Sequence, residues 1–271
     1  MLAGAPPGVA SDLPVILNGP VQAYLKHFTT GGKALFQTYL NRSRRYLPMI
    51  HQIFRQEGLP LDLAYLALVE SGFSNHAVSP AQAVGMWQFI AGTARRYGLR
   101  VDDQVDERRQ PEKATRAAAR YLKDLYNQFG CWYLAAAGYN AGEGRVQGVM
   151  RRRDTRDFWI MARHKWLPQE TCNYVPQLIA AALIAKNPGK YGFTPAPPLP
   201  APLAQVKVRA GTDLNRFSLL ADIPLATLQD LNPELTGERL PASPREHLLR
   251  VPAVKRKAAV QAAQACAVGV P

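Results

Sequence analysis

Acidic residues are scarce in this chain: 20 Asp and Glu stand against 33 Lys and Arg in 271 residues, a formal net charge of +13. That imbalance predicts attraction to an anionic partner. Cysteine is also scarce. Cys131, Cys172 and Cys266 are odd in number and form no CxxC pair, so a disulfide framework is not implied. The five histidines, His27, His51, His76, His164 and His247, show no HxxxH or HExxH spacing, which leaves a zinc site without support. Long hydrophobic runs are missing too: the longest, near Leu178 to Ala185, is far too short to span a bilayer. The N-terminus reads MLAGAPPGVASDLP, with no basic residue before Lys26 and with Pro6-Pro7 where an apolar signal segment would run. The sequence thus supplies no export address of its own.

What is present is an ordinary globular composition, 47% hydrophobic and 20% charged, long enough for one large domain and a small one. The basic residues fall in short clusters, Arg44-Arg45, Arg95-Arg96, Arg108-Arg109 and Arg151 to Arg153, without a recognition-helix, zinc-finger or RNA-binding signature. No nucleic-acid partner is therefore expected; an anionic cell wall and a merely solvated basic face are the competing readings.

Residues 15–190 read as a string of helices. Leu35, Tyr39, Tyr46, Met49, Ile50, Ile53 and Phe54 recur mostly at helical spacing, and Gly58 and Pro60 punctuate the run. A second helix is expected from Leu61 through Leu68, ending near Gly72. Pro111 opens a third with Ala114, Ala118, Tyr121, Leu122, Leu125 and Phe129 on one face and Gly130 as its stop. Residues 187–202 then turn to NPGKYGFTPAPPLPAP, whose five prolines from Pro195 on favour extended chain and mark a boundary. The expected organisation is a disordered segment at 1–14, a helical domain at 15–190, a Pro-rich linker at 191–204, a small α+β domain at 205–253 with two strands flanking two short helices, and a disordered tail at 254–271. The fold class is mainly α.

The chemistry-bearing stretch is LALVESGFSNHAVSPAQAVGMWQF, residues 66–89. Glu70 ends an otherwise apolar helix, between Leu66, Leu68 and Val69 and the pair Gly72-Phe73. A carboxyl set among apolar groups has a raised pKa, which suits a general acid near neutral pH. On residue type alone, a surface glutamate at a helix end is the stronger reading. Its company reverses the balance: Ser79, then Gln88 inside Gly85-Met86-Trp87-Gln88, then Gly138-Tyr139-Asn140, and Tyr174 within residues 171–175.

This set resembles the soluble lytic transglycosylase fold related to goose-type lysozyme. VGMWQFI, GTARRYGL, VDERRQPEKATRAAARYLKDLY and YNAGEGRV look like its membrane-bound lytic transglycosylase D branch. Position 138 is Gly where that family usually has Ala, and Trp87 fits the D branch. Residues 206–252, with IPLATLQDLNPEL at 223–235, look like a degenerate LysM module, a βααβ unit that binds N-acetylglucosamine-containing glycans; a plain structural appendage is the competing reading.

The resemblance implies a lysozyme-like helical catalytic domain with Glu70 as acid and base. Ser79 would bond the substrate N-acetyl group or the Glu70 carboxyl, and Gln88 would bind near the cleavage site. Met86 and Phe89 would line the groove, Tyr139 would position Glu70 or the sugar, Asn140 would add a polar contact, and Tyr174 would close the pocket. Against this, Met86, Trp87 and Phe89 can be plain core, Asn140 can turn the chain before Gly142, and Tyr139 and Tyr174 can be buried tyrosines with satisfied hydroxyls. Other acids, such as Asp102, Asp103, Asp106, Glu107 and Glu143, lie in polar, loop-like contexts outside the motifs. One carboxyl suffices if the substrate supplies its own nucleophile. The implied reaction is cleavage of the β-1,4 bond between N-acetylmuramic acid and N-acetylglucosamine in peptidoglycan, leaving 1,6-anhydromuramoyl ends. No cofactor or metal is implied, the partner is the glycan strand, and the expected state is a monomer in the periplasm or peripherally on the cell envelope. A hydrolytic muramidase and a non-catalytic peptidoglycan-binding protein remain the alternatives.

Overall fold

The computed structural model describes residues 12–195, 197–199 and 201–268. Nine α-helices come before the proline-rich stretch among these residues: α1 (Gly19–Thr29), α2 (Lys33–Glu57), α3 (Leu66–Ser71), α4 (Ala91–Arg96), α5 (Pro111–Phe129), α6 (Trp132–Ala141), α7 (Glu143–Arg153), α8 (Phe158–Arg163) and α9 (Gln169–Lys186). After it come β1 (Leu203–Arg209), α10 (Leu214–Ala221), α11 (Leu225–Leu231), β2 (Glu246–Pro252) and α12 (Arg256–Val268). The mainly helical class with a small α+β unit is as expected. No described helix is long and apolar enough to cross a membrane.

Local chemistry sets the helix ends. Gly58 (φ 72°) and Gly130 (φ 69°) close α2 and α5 in the left-handed region that glycine reaches without strain. Pro111 opens α5, and the Gln110 side chain accepts the Lys113 N–H as its cap. The expected second helix is split: Leu61–Tyr65 winds as a 3₁₀ helix before α3 begins. Gly72 (φ 59°) then stops α3 immediately beyond Glu70 and Ser71. A Cβ at Gly72 would lie 2.1 Å from the Tyr39 ring of α2, so only glycine lets α2 pack this closely behind the end of α3.

The core of the large domain is built from α5, α6 and α9, with Leu122, Leu125, Leu134, Ala135, Val175 and Leu178 fully or almost fully buried. α2, the 3₁₀ turn and α3 add Phe54, Leu63 and Leu66 in that order to the same cluster. Residues 78–89 form a short irregular wall held by isolated bridges, Val78 to Val84 and Val84 to Phe89. In the small domain β1 and β2 pair antiparallel from Leu203–Pro252 to Arg209–Glu246.

Two expectations about the termini are corrected. Of the segment expected to be disordered at 1–14, residues 1–11 lie outside the described residues, whereas 12–14 are docked: Leu13 is 5% exposed, the Asp12 N–H donates to Asp62 Oδ2 at 2.9 Å, and the Tyr133 hydroxyl donates to the Pro14 carbonyl. Of the tail expected to be disordered at 254–271, residues 269–271 lie outside the described residues, whereas the rest carries α12, which packs on β1 and α10 through Ala259, Ala262, Ala263 and Cys266. The alanine-rich, basic composition hid an amphipathic helix, because alanine's small side chain lets one helix face close on the sheet while its high helix propensity supports the turn.

Candidate active site

Glu70 sits on the last turn of α3 at a cavity of about 540 Å3. The opposing wall comes from residues 79–93 and the floor from α5 and α6; Ser79, Gln88, Phe89, Tyr121, Tyr139 and Asn140 line it with Glu70. The wall is folded by special backbone geometry. Gly85 (φ 84°) and Gln88 (φ 47°) make the tight turns, and a Cβ at Gly85 would meet the Arg108 carbonyl at 2.0 Å.

The Glu70 carboxyl is densely surrounded by protein and reaches solvent only through the cavity. Desolvation pushes its pKa up to about 7; the Tyr174 hydroxyl, donating to Oε1 at 2.5 Å, works against this, and the Glu170 charge adds to it. A substantial fraction of Glu70 is thus protonated at neutral pH, as a general acid requires. Burial, followed by the Glu70 charge, holds the Tyr174 and Tyr139 hydroxyls well above the ordinary tyrosine range, so both remain donors.

The other motif residues divide by location. Ser79 lines the cavity, its hydroxyl oxygen accepts the Ala83 N–H at 3.1 Å, and it makes no hydrogen bond to Glu70 among the described residues. The Gln88 amide nitrogen donates to the Gly85 carbonyl at 2.8 Å, bracing its own turn. Phe89 lines the cavity while 2% exposed and meets Tyr139 edge to face at 6.1 Å. The Tyr139 hydroxyl donates to the Trp87 carbonyl at 2.7 Å, tying the floor to the wall and leaving no bond to Glu70. Asn140 is occupied on both sides: Oδ1 accepts from the Thr171 hydroxyl at 2.7 Å, and Nδ2 donates to Glu170 at 2.9 Å. Tyr174 lies behind Glu70 and is not part of the cavity lining.

Met86 is the exception. It is 0% exposed and absent from the lining, because its side chain belongs to the large-domain core beside Trp87. Its backbone carbonyl, accepting from the Ser71 hydroxyl at 2.8 Å, joins the wall to the end of α3.

Two further acids line the same cavity: Glu143, expected in a polar loop apart from the site, and Glu170. Glu143 opens α7 and accepts from Arg96 at 2.7 Å and from the Tyr121 hydroxyl at 2.9 Å. Desolvation works to raise its pKa, but the bonds from Arg96 and Tyr121 outweigh it and hold the group below the usual carboxylate range. Glu143 is therefore an anion at a pH where Glu70 is still partly protonated. Its place inside YNAGEGRV, the segment that also carries Tyr139 and Asn140, was the available signal. Glu170 had none, because only the fold brings α9 against α6. Among the described residues no group of three or more His, Cys, Asp or Glu is placed to hold a metal ion.

Residues 49–162 match the transglycosylase SLT domain, and residues 202–267 match the LysM-like domain of the lytic transglycosylase MltD. The chain belongs to the lytic transglycosylase family. It is 33% identical over 234 residues to the membrane-bound lytic murein transglycosylase D of Escherichia coli K12, which covers 84% of this chain and 50% of that protein. The chain thus spans about half the length of that relative. It is 44% identical over 86 residues to the peptidoglycan transglycosylase gp16 of phage T7, covering 31% of this chain and 6% of that protein. The lytic transglycosylase Slt of Pseudomonas aeruginosa aligns in three dimensions over 53% of this chain and 24% of its own, with 25% identity and a TM-score of 0.45. Glu70, the 79–89 wall, Tyr139, Asn140 and Glu143 fall inside the SLT match; Glu170 and Tyr174 lie beyond its end and reach the cavity and Glu70 from α9. The LysM-like match includes most of α12 and so runs past the expected end of the small domain at residue 253.

Proposed function

We propose that this lytic transglycosylase cleaves the β-1,4 bond between N-acetylmuramic acid and N-acetylglucosamine in peptidoglycan, with Glu70 acting first as acid and then as base. The observation that carries this reading is one carboxyl poised near neutrality in a cavity whose neighbouring carboxyl, Glu143, is kept ionised by Arg96 and Tyr121. Protonated Glu70 donates to the glycosidic oxygen, and the bond from that oxygen to the muramoyl C1 breaks. The substrate's 2-acetamido oxygen stabilises the developing positive charge at C1. Glu70, now ionised and bonded by Tyr174, takes the proton of the muramoyl C6 hydroxyl, whose oxygen bonds to C1. The proton count closes on Glu70, and no water is consumed.

In the same reading Ser79 and Gln88 face the sugar beside the cleaved bond, while Phe89, Tyr139 and the 51% exposed Ile90 offer apolar surface to pyranose rings. Asn140 acts indirectly by fixing Glu170. The glycan strand is the proposed partner and the periplasm or cell envelope the proposed location, in keeping with the relative whose name is membrane-bound murein transglycosylase. The excess of 33 basic over 20 acidic residues suits an anionic wall.

Digestion of purified sacculi, with mass spectrometry of the released muropeptides and Glu70→Gln as control, tests the reading. The expected products carry 1,6-anhydromuramoyl ends, one water lighter than reducing ends, and the variant yields none. Reducing ends would make the protein a muramidase. Sacculi bound but left intact by the wild-type protein would make it a binding protein.

A further inference from the structure

The loop between α4 and α5 touches both the small domain and the wall of the cavity. On the small-domain side, Val105 bridges Leu235 in antiparallel fashion and the Asp106 N–H donates to the Glu234 carbonyl at 2.8 Å. The Thr236 N–H donates to the Gln104 carbonyl at 3.3 Å, and its hydroxyl donates to the Asp103 carbonyl at 2.5 Å. The Arg100 guanidinium adds a 2.7 Å bond to the Ser243 carbonyl. The LysM-like unit is thus seated by main-chain bonds on the 103–106 segment, beyond its connection through the proline-rich stretch.

On the other side of the same segment stands Arg108, 8% exposed. Its Nε and Nη2 each donate to an Asp106 carboxylate oxygen at 2.8 Å. Its Nη1 donates to the Gln82 carbonyl at 3.0 Å and the Phe89 carbonyl at 3.1 Å. Those two carbonyls belong to the wall that presents Ser79, Gln88 and Phe89 to the cavity. Asp106 is the shared joint: its backbone bonds the small domain while its side chain fixes the Arg108 fork. A planar guanidinium holding one carboxylate and two carbonyls sets direction as well as distance, which an ammonium cannot reproduce.

We infer that Arg108 is a positioning residue for the substrate wall, and that the docked LysM-like unit sets its position through Glu234, Thr236 and Asp106. The small domain then contributes to glycan binding in the Glu70 cavity without touching the glycan. This rests on the reading of that cavity as the glycan site. A purely structural Arg108 would change stability alone; a positioning Arg108 changes substrate affinity while Glu70 chemistry continues.

The test uses the full chain. Arg108→Met is expected to raise KM for soluble glycan strands about tenfold with kcat within about threefold, since the wall binds while Glu70 reacts. Arg108→Lys is expected to recover part of the loss, and both should raise the Kd of the Glu70→Gln background in parallel. The double variant Arg100→Met/Thr236→Val alters no cavity residue; it is expected to speed hydrogen exchange at Asp106 and Thr236 and, with them, at the Val84 and Phe89 amides that bridge the wall. Where that double variant keeps Asp106 and Thr236 protected, Thr236→Pro, which removes the N–H bonded to Gln104, replaces it, and faster exchange is then expected at Asp106 and, with it, at Val84 and Phe89. Unchanged KM in a folded Arg108→Met protein overturns the inference. So does unchanged exchange at Val84 and Phe89 after Asp106 and Thr236 have lost protection. Where Arg108→Met does not fold, Arg108→Lys and the docking variants decide. Failure of the proposed reaction has a different signature: the wild-type protein then makes no anhydro product, while the exchange experiment, which needs no turnover, still reads the link.

Discussion

The Tyr174 hydroxyl donates a 2.5 Å hydrogen bond to Glu70 Oε1 from a position 104 residues further along the chain. This bond and the surrounding protein pull the Glu70 pKa in opposite directions, and burial prevails, leaving it at about 7. Tyr174→Phe removes the hydrogen bond that lowers it. The alkaline limb of the kcat/KM profile, where Glu70 loses the proton it must donate, is expected to move to higher pH. The same substitution strips the ionised form of a charge-assisted donor worth about 1.5–3 kcal/mol, so kcat at the optimum is expected to fall by roughly 10- to 100-fold. A pH–rate series on soluble glycan strands checks both; an unmoved limb with wild-type kcat would detach Tyr174 from Glu70.

Glu70 also imposes a pH-dependent strain on the fold. Its folded pKa, about 7, exceeds the ordinary 4.5, so between these values the folded state holds more protons than the unfolded state. Stability must therefore fall as pH rises through that window, with no cost below about 4.5 and the full cost above about 7. A shift of this size corresponds to about 3 kcal/mol at most. Glu70→Gln, inactive but uncharged, is expected to match the wild-type Tm near pH 4 and exceed it near pH 8. Calorimetry at the two pH values checks this, and an equal gain at both would mean that Glu70 is not the buried titrating group.

How much of this was legible in the sequence depended on how local each cause was. Gly58, Pro111 and Gly130 act within one helical turn, so the ends of α2 and α5 followed from the residues themselves. Glu70 stood out once Ser79, Gln88, Tyr139 and Tyr174 were read together, although only one of them bonds it: Tyr174 donates to Glu70, whereas Tyr139 donates to the wall at Trp87. Met86 misled, because a residue inside a binding motif and a residue in the core carry the same apolar signature. Glu143 was hidden for a different reason. Its acidity looked like solvated loop, and only Arg96 and Tyr121, distant in sequence, make it part of the cavity. Glu170 is held there by Asn140 across the packing of α6 and α9, which no local pattern announces.

Gly138 shows why a residue of poor helix propensity can be correct. A Cβ there would lie 2.7 Å from the Phe129 ring and 3.1 Å from Leu125, where α6 crosses α5. Gly138→Ala would gain about 1 kcal/mol of helix propensity. Overpacking a filled core costs about 1–3 kcal/mol, and Phe129 is 1% exposed, with little room to retreat. The cost wins, and a net loss of about 1 kcal/mol is expected. Since Tyr139 follows directly, its bond to the Trp87 carbonyl shifts with the helix, so activity should drop along with Tm. Urea titration and glycan turnover on the same preparation check the pair; a stabilised variant would show that Phe129 yields.

Ending the chain at Lys255 would remove α12, the helix that composition alone had concealed. Ala259, Ala262, Ala263 and Cys266 cover Val206, Val208 and Val251, each no more than 4% exposed, on one face of the two-stranded sheet. A two-stranded antiparallel pair is marginal in water without such a cover. Baring that face is expected to cost the small domain about 2–5 kcal/mol, the range for removing large parts of a core. The large domain keeps its own core, built from α5, α6 and α9, so its unfolding transition should persist at nearly the wild-type temperature. The truncated protein is therefore expected to show a separate, earlier transition in differential scanning calorimetry, assigned to the small domain by loss of exchange protection in β1 and β2. Glycan KM should rise once that first transition is crossed, because the unfolded small domain no longer holds Asp106 at Glu234. A single transition at the wild-type temperature would mean that the sheet stands without α12.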